Sequence, residues 1–284
     1  MKVTISAPAK LNLFLEITGQ RSDGYHLLDT VMQSVSLYDD ITVSEEDDQS
    51  DITVQCSDKL IPCDETNTAY RAAVLFFEHN NMQPRGLHIH IKKRIPAQAG
   101  MGGGSADAAA VLLAMNELYD TDLDRAELAR IAEKIGADVP FCVYNGTMSA
   151  GGIGTILTPL PDMPACSIVI VKPDVMISTK DAYTKADHIG YSHTKSSDSI
   201  VESICAGLTA DIGRKLFNRF EQISDVPELD SIKTVMKNHK AAGACMTGSG
   251  SAVFGIFESS EDADDCADEL SKHFDKVYTV NPVN

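Results

Sequence analysis

The sequence predicts an α+β protein of two domains, and three observations carry that prediction. Strand-like and helix-like segments are mixed without strict alternation, which favours layered α+β packing over a doubly wound sheet. The length of 284 residues suits about two domains of roughly 150 residues each. Pro159, Pro161 and Pro164 punctuate the chain near residue 160, so the expected domains are 1–160 and 161–284.

The elements follow in order. Lys2 to Ser6 and Leu11 to Ile17 alternate as strands, with Pro8 expected to separate them. Asp23-Gly24 signals a turn, Ile41 to Val43 and Ile52 to Gln55 read as further strands, and the acidic run 44–51 reads as a solvated hairpin tip. A helix is predicted over Asn67 to His79, with Ala69, Ala72, Ala73 and Phe76 facing inward. Strand Leu87 to Ile91 leads into Ile95-Pro-Ala-Gln-Ala-Gly-Met-Gly-Gly-Gly-Ser105, after which an alanine-rich helix presents Ala109, Leu112, Leu113 and Leu118 to a core. A second helix carries Leu128, Ile131, Ala132 and Ile135 on one face and stops at Gly136. Beyond residue 160 come a buried strand at Ser167 to Val171, a polar loop at 188–199, helices, and a glycine hairpin at Gly243 to Gly250.

Composition is that of an ordinary globular protein, 43% hydrophobic and 23% charged. The longest apolar run, Ala108 to Met115, is far short of the ~18 residues of a membrane span, and no targeting segment is visible. Seven scattered cysteines without a C-x-x-C pair fit a reducing cytoplasm. A net charge of −17 argues against nucleic acid and anionic membrane as partners, while a small anion such as ATP stays open if basic residues gather locally; a small-molecule substrate and a monomer or homodimer are the expectation. His88-x-His90 has no evident third ligand and reads as a strand face rather than a metal site.

Four glycines in the five residues Gly100 to Gly104, running into a helix that Ser105 is expected to cap, suit a phosphate-binding loop. A flexible linker is the alternative. No Lys-Ser/Thr follows the glycines, and Asp107 stands where a last G-x-G-x-x-G glycine would fall, so neither common nucleotide fingerprint applies. Lys92-Lys93-Arg94 just upstream is either an anion-attracting cluster or a solvated strand end. Lys10 and Asn12 share one strand face, Asp138 stands at a helix-to-loop break, and Thr247-Gly-Ser-Gly250 gives hydroxyls and pliant backbone. Taken singly, these also read as a surface lysine, a helix N-cap and a tight hairpin.

Together, Pro8-Ala-Lys-Leu-Asn-Leu13, Arg21-Ser-Asp-Gly-Tyr-His-Leu-Leu28, Gly100-Met-Gly-Gly-Gly-Ser105, Gly136-Ala-Asp-Val-Pro140, Lys172-Pro173, Ser178-Thr-Lys-Asp-Ala-Tyr183, Asn218-Arg-Phe-Glu221 and Thr247-Gly-Ser-Gly250 resemble the GHMP kinase superfamily over nearly the whole chain. Asp-Gly-Tyr25-His26 brings the resemblance closest to the branch acting on a cytidine diphosphate-linked polyol. The resemblance implies a two-domain GHMP-kinase-like fold with the active site in the cleft between the domains. It also implies ATP and Mg²⁺ as cofactors and phosphorylation of the 2-hydroxyl of a methylerythritol unit for isoprenoid precursor synthesis, the alternatives being another small-molecule kinase of the superfamily, for mevalonate, homoserine or a sugar, or a non-catalytic nucleotide-binding paralogue. Lys10 and Asp138 then become catalytic. Asn67, Lys93, Pro96, Ala97, Gln98, Ala99, Gly100, Met101, Gly102, Gly103, Gly104, Ser105, Ala106 and Asp107 become ATP-binding. Asn12, Tyr25, His26, Tyr183, Thr247 and Gly248 become substrate-binding, with Tyr25 and Tyr183 sandwiching the cytosine, a contact worth about 1 to 3 kcal/mol per base. Met101 and Ala106 depart mildly from the family pattern. Gly151 and Thr155 stand where acidic residues are common, so no Mg²⁺ ligand is named.

Overall fold

The computed structural model describes residues 1–45, 51–84, 86–190 and 195–284, so the acidic run at 44–51 and the polar loop at 188–199 fall partly outside the described residues. The chain opens with two long strands, β1 (Lys2–Gln20) and β2 (His26–Glu45), then β3 (Ile52–Cys56), α1 (Thr68–His79) and β4 (Leu87–Lys92). Next come α2 (Gly103–Leu118), α3 (Arg125–Glu133), α4 (Val139–Tyr144), β5 (Thr147–Gly151), β6 (Ile156–Pro159) and β7 (Ser167–Val171). Helices α5 (Thr179–Ile189), α6 (Asp198–Cys205) and α7 (Thr209–Arg214) precede the short β8 (Phe217–Asn218) and a 3₁₀ turn (Arg219–Ile223). The chain ends with α8 (Leu229–Asn238), β9 (Gly243–Met246), β10 (Val253–Phe257), α9 (Ser260–Ser271), β11 (Val277–Val280) and β12 (Pro282–Val283).

These elements form two compact units that do not part at residue 160. Residues 1–9, 37–97 and 102–145 make the first, and 10–36, 98–101 and 146–284 the second, so 161–284 lies wholly in the second. Strands β1 and β2 are 19 and 20 residues long and each contributes to both.

In the first unit the distal part of β2 pairs antiparallel with β4, from Asp40 opposite Lys92 to Glu45 opposite Leu87, and β4 pairs parallel with β3. Helix α1 starts at Asn67, whose side chain accepts from the Ala69 N–H, and buries Ala69, Ala72, Ala73 and Phe76 as predicted. It packs on α2. That helix is buried nearly all round from Ala106 to Met115, a closeness that alanine permits, with Leu113 only half-buried. Helix α3 begins with a capping box, Asp124 and Glu127 exchanging bonds, and buries Leu128, Ile131 and Ala132.

In the second unit β1 pairs parallel with β8, Phe14 lying opposite Phe217, and the proximal part of β2 pairs with β5 and β12. A separate antiparallel sheet runs β11-β7-β10-β9, with α8 and α9 packed on it. Its core includes Val169, Val171, Met236, Val253, Phe257, Cys266 and Leu270. Strand β7 is buried at all five positions, as its unbroken apolar run predicts.

The expected break at Pro8 does not occur. Proline's fixed φ fits an extended strand, and burial changes there from alternating to continuous over Ala7 to Ile17. The nearby Lys10 N–H donates to the Met101 carbonyl at 3.0 Å. Among the described residues no helix is long and apolar enough to cross a membrane, and all seven cysteines are free.

Candidate active site

In the first unit the glycine loop enters α2 at Gly102, which holds φ +68° and leaves the helix without a side-chain cap. Ser105 is therefore not the cap. The left-handed glycine starts the helix before it, and Ser105 sits in the first turn. Ala106 gives its N–H to the Gly102 carbonyl at 2.8 Å, so the N–H groups of Gly103, Gly104 and Ser105 lack an intrahelical acceptor. With the positive end of the helix dipole they make an anion-binding corner. The Thr68 hydroxyl donates to the Gly104 carbonyl at 2.7 Å, tying the corner to the start of α1, where Asn67 is occupied as a cap and donates to Pro62.

Lys93 lies directly behind this corner: a β-carbon on Gly103 would stand 3.0 Å from its ammonium. That ammonium is 2.6 Å from Asp39 and 2.9 Å from Asp107, and all three side chains are buried. Asp39 also accepts from the N–H groups of Arg94 and Ile95, at 2.5 and 2.9 Å, so one carboxylate fixes the strand end that feeds the glycine loop. Burial alone would depress Lys93, yet Asp107 and Asp39 hold its ammonium above the ordinary range. Burial pushes Asp107 up to about 7 against the pull of Lys93, with Asp39 adding to the rise. The upstream basic cluster is thus largely neutralised within its own unit, since Arg94 pairs with Asp40 at 2.6 Å. Asp138 occupies the N-cap position of α4, half-buried, and its carboxylate makes no capping bond.

In the second unit the Lys10 ammonium is buried and donates to Asn12 Oδ1 at 2.7 Å, while Asn12 Nδ2 donates to the Thr30 hydroxyl at 2.9 Å. Thr247 is fully buried. Its hydroxyl accepts from the Asn12 N–H at 3.0 Å and donates to the Gly100 carbonyl at 3.3 Å, joining three motifs that lie far apart in sequence. Gly100, at φ +74°, abuts this hairpin so closely that a β-carbon would stand 2.1 Å from the Thr247 carbonyl. Gln98, Ala99, Gly100 and Met101 therefore belong with the 247–252 hairpin, and the Ala252 N–H donates to the Ala99 carbonyl.

Tyr25 is 60% exposed, whereas Tyr183 stacks on His26 with ring centroids 4.4 Å apart and meets Phe220 edge-on. His26 Nε2 lies 2.7 Å from Asp187. Pro96 and Ala97 are half-buried in the turn after β4, and a β-carbon on Gly248, which holds φ +54°, would stand 2.7 Å from the Gly100 carbonyl. No cluster of three metal-ligating side chains occurs among the described residues. Sequence reading missed Asp39, which lies more than fifty residues from its partners. The available signal was strand pairing: aligning Ile41 and Val43 with Ile91 and Ile89 sets the acidic pair 39–40 opposite 92–93.

Residues 67–146 match the GHMP kinases N terminal domain and residues 200–276 the GHMP kinases C terminal domain. The chain belongs to the GHMP kinases. A 4-diphosphocytidyl-2-C-methyl-D-erythritol kinase of Caldicellulosiruptor saccharolyticus is 41% identical to it, over 94% of this chain and 92% of that protein. A solved 4-(cytidine 5'-diphospho)-2C-methyl-D-erythritol kinase superposes with a TM-score of 0.79 at 32% identity, covering 99% of this chain and all of the other. A homoserine kinase from Cytophaga hutchinsonii reaches 0.78 at 20% identity, over 99% of this chain and 95% of that one, a likeness of fold alone.

Proposed function

We infer that this chain is an ATP-dependent kinase that phosphorylates the 2-hydroxyl of 4-diphosphocytidyl-2-C-methyl-D-erythritol, a step toward isoprenoid precursors. The observation that carries the choice of substrate is the 41% identity to a kinase so named over 94% of the chain. A glycine loop alone suits every member of the family. By sequence the chain divides into 1–160 and 161–284, and the two matched segments fall on either side of 160.

Phosphoryl transfer asks for positioning and charge stabilisation rather than covalent help. The N–H groups of Gly103, Gly104 and Ser105 would donate to the ATP phosphates, and Mg²⁺ bound with the nucleotide would supply charge neutralisation there. Lys93 and Asp107 serve this site from behind, with Asn67 and the turn at Pro96 and Ala97 beside it. Asp138 accepts the proton of the attacking hydroxyl and Lys10 stabilises its developing charge. Tyr25, His26 and Tyr183 hold the cytosine, Tyr25 closing on the ligand from its exposed position. Thr247 and Gly248 shape the substrate side through backbone and buried hydroxyl. The cytoplasm is the proposed compartment, with the chain acting as a monomer or homodimer.

An ADP-release assay with the cytidyl compound, mevalonate and homoserine tests the assignment. Turnover of mevalonate but not of the cytidyl compound overturns it. Asp138→Asn is expected to lose about 10²- to 10⁴-fold in kcat while ATP still binds; an active variant removes Asp138 from the mechanism.

A further inference from the structure

The Asn218-Arg-Phe-Glu221 motif has no part in the chemistry above, yet its side chains converge on the glycine hairpin. Asn218 is 1% exposed and lies in β8, opposite Leu15 of β1. Its Nδ2 donates to the Met246 carbonyl at 2.7 Å and to the Gly248 carbonyl at 2.8 Å, while its Oδ1 accepts from the Phe220 N–H at 2.9 Å. All of its ordinary capacity as a double donor is therefore committed to the carbonyls of the two residues on either side of Thr247. Glu221 acts on the same stretch: Oε1 accepts from the Met246 N–H at 2.6 Å, and Oε2 is 2.7 Å from the Lys233 ammonium.

Thr247 cannot shift without consequence. Its hydroxyl holds the Asn12 N–H and the Gly100 carbonyl, and its own carbonyl faces Gly100 where no β-carbon fits. The Lys10 N–H in turn donates to the Met101 carbonyl. We propose that Asn218 and Glu221 are positioning residues for phosphoryl transfer: they clamp the Met246–Gly248 peptides, and through Thr247 set the place of the Lys10–Asn12 strand and of the glycine loop together. The proposal rests on the kinase reading, but the clamp itself can be tested without turnover.

Asn218→Asp keeps the shape and the bond to Phe220 while turning a carboxylate toward two carbonyls. Misplacement of this kind is expected to lower kcat about 100-fold, with partial recovery toward acid pH as the protonated carboxyl regains one donor. Amide hydrogen exchange should quicken in 10–13 and 98–101 and stay unchanged in β7. Arg219→Lys is the control for simple damage: Arg219 pairs with the buried Glu16 at 2.6 Å and donates to Gln222, both outside the Met246–Gly248 stretch, so this variant should melt earlier yet keep kcat and the normal pH profile. Should Asn218→Asp not fold, Glu221→Ala decides, with about a tenfold loss of kcat and the same exchange pattern. Wild-type kcat and unchanged exchange at 98–101 in a folded variant overturn the clamp. If no alcohol in the panel is phosphorylated, the exchange pattern still judges it, so the two failures are distinguishable.

Discussion

Asp107 stands four residues into α2 with one carboxylate oxygen on Lys93 and the other buried without a partner. A carboxylate so deeply buried costs free energy when ionised, beyond what the Lys93 ammonium returns, and Asp39 on the same ammonium adds to that cost. Its affinity for a proton is accordingly raised to about 7, well above the value in an unfolded chain. The sign follows from proton counting. Between about pH 4 and pH 7 the folded state holds a proton at Asp107 that the unfolded state has lost, so this group's contribution to stability declines as pH rises across that window. Asp107→Asn removes the titration. Its melting temperature relative to wild type should therefore climb steadily from pH 5 to pH 8; a constant difference across that range would show that Asp107 is ionised throughout.

At the scale of elements, the glycine loop separates glycines that the fold requires from glycines that it tolerates. Gly100 combines φ +74° with a β-carbon position 2.1 Å from backbone oxygen, whereas Gly104 offers 3.3 Å to the Thr68 hydroxyl and ordinary helical backbone. Gly100→Ala should cost more than about 2 kcal/mol, since strain and overlap with backbone add. Gly104→Ala should be near neutral, its lower chain entropy offsetting the contact. Denaturant midpoints rank the two, and equal losses would mean the loop relaxes away from the hairpin. The same loop shows what sequence could convey. The existence of α1, α3 and β7 was legible because hydrophobic spacing and caps are local. The starting point of α2 was not, because a left-handed glycine ended the loop where a serine offered the more familiar signal. Pro8 misled for a related reason: a proline reads as a break only where its missing N–H is needed for pairing. Asp39 escaped, as did the role of Asn218 within its motif, because each serves peptides remote in sequence, and no local spacing records such a bond.

For the whole molecule the governing quantity is charge. With 41 acidic and 24 basic residues, and with Lys93 and Arg94 already paired to Asp39, Asp107 and Asp40, the protein meets an anionic nucleotide with little long-range attraction. Local donors at the start of α2 supply short-range affinity, but the net field of −17 opposes approach and also strains the folded state by self-repulsion. Both effects are screened by salt. Raising a neutral salt from about 10 mM to about 150 mM shortens the screening length from about 30 Å to about 8 Å. With Mg²⁺ held in constant excess, kcat/KM for ATP should rise over that range by about two- to fivefold, and the melting temperature should rise with it. A steep fall in kcat/KM would instead reveal a cationic patch that survives the pairing of Lys93 and Arg94. A falling melting temperature would mean that exposed ion pairs such as Lys240–Asp262 and Lys272–Glu269 outweigh the net repulsion, although pairs of that kind are individually worth little.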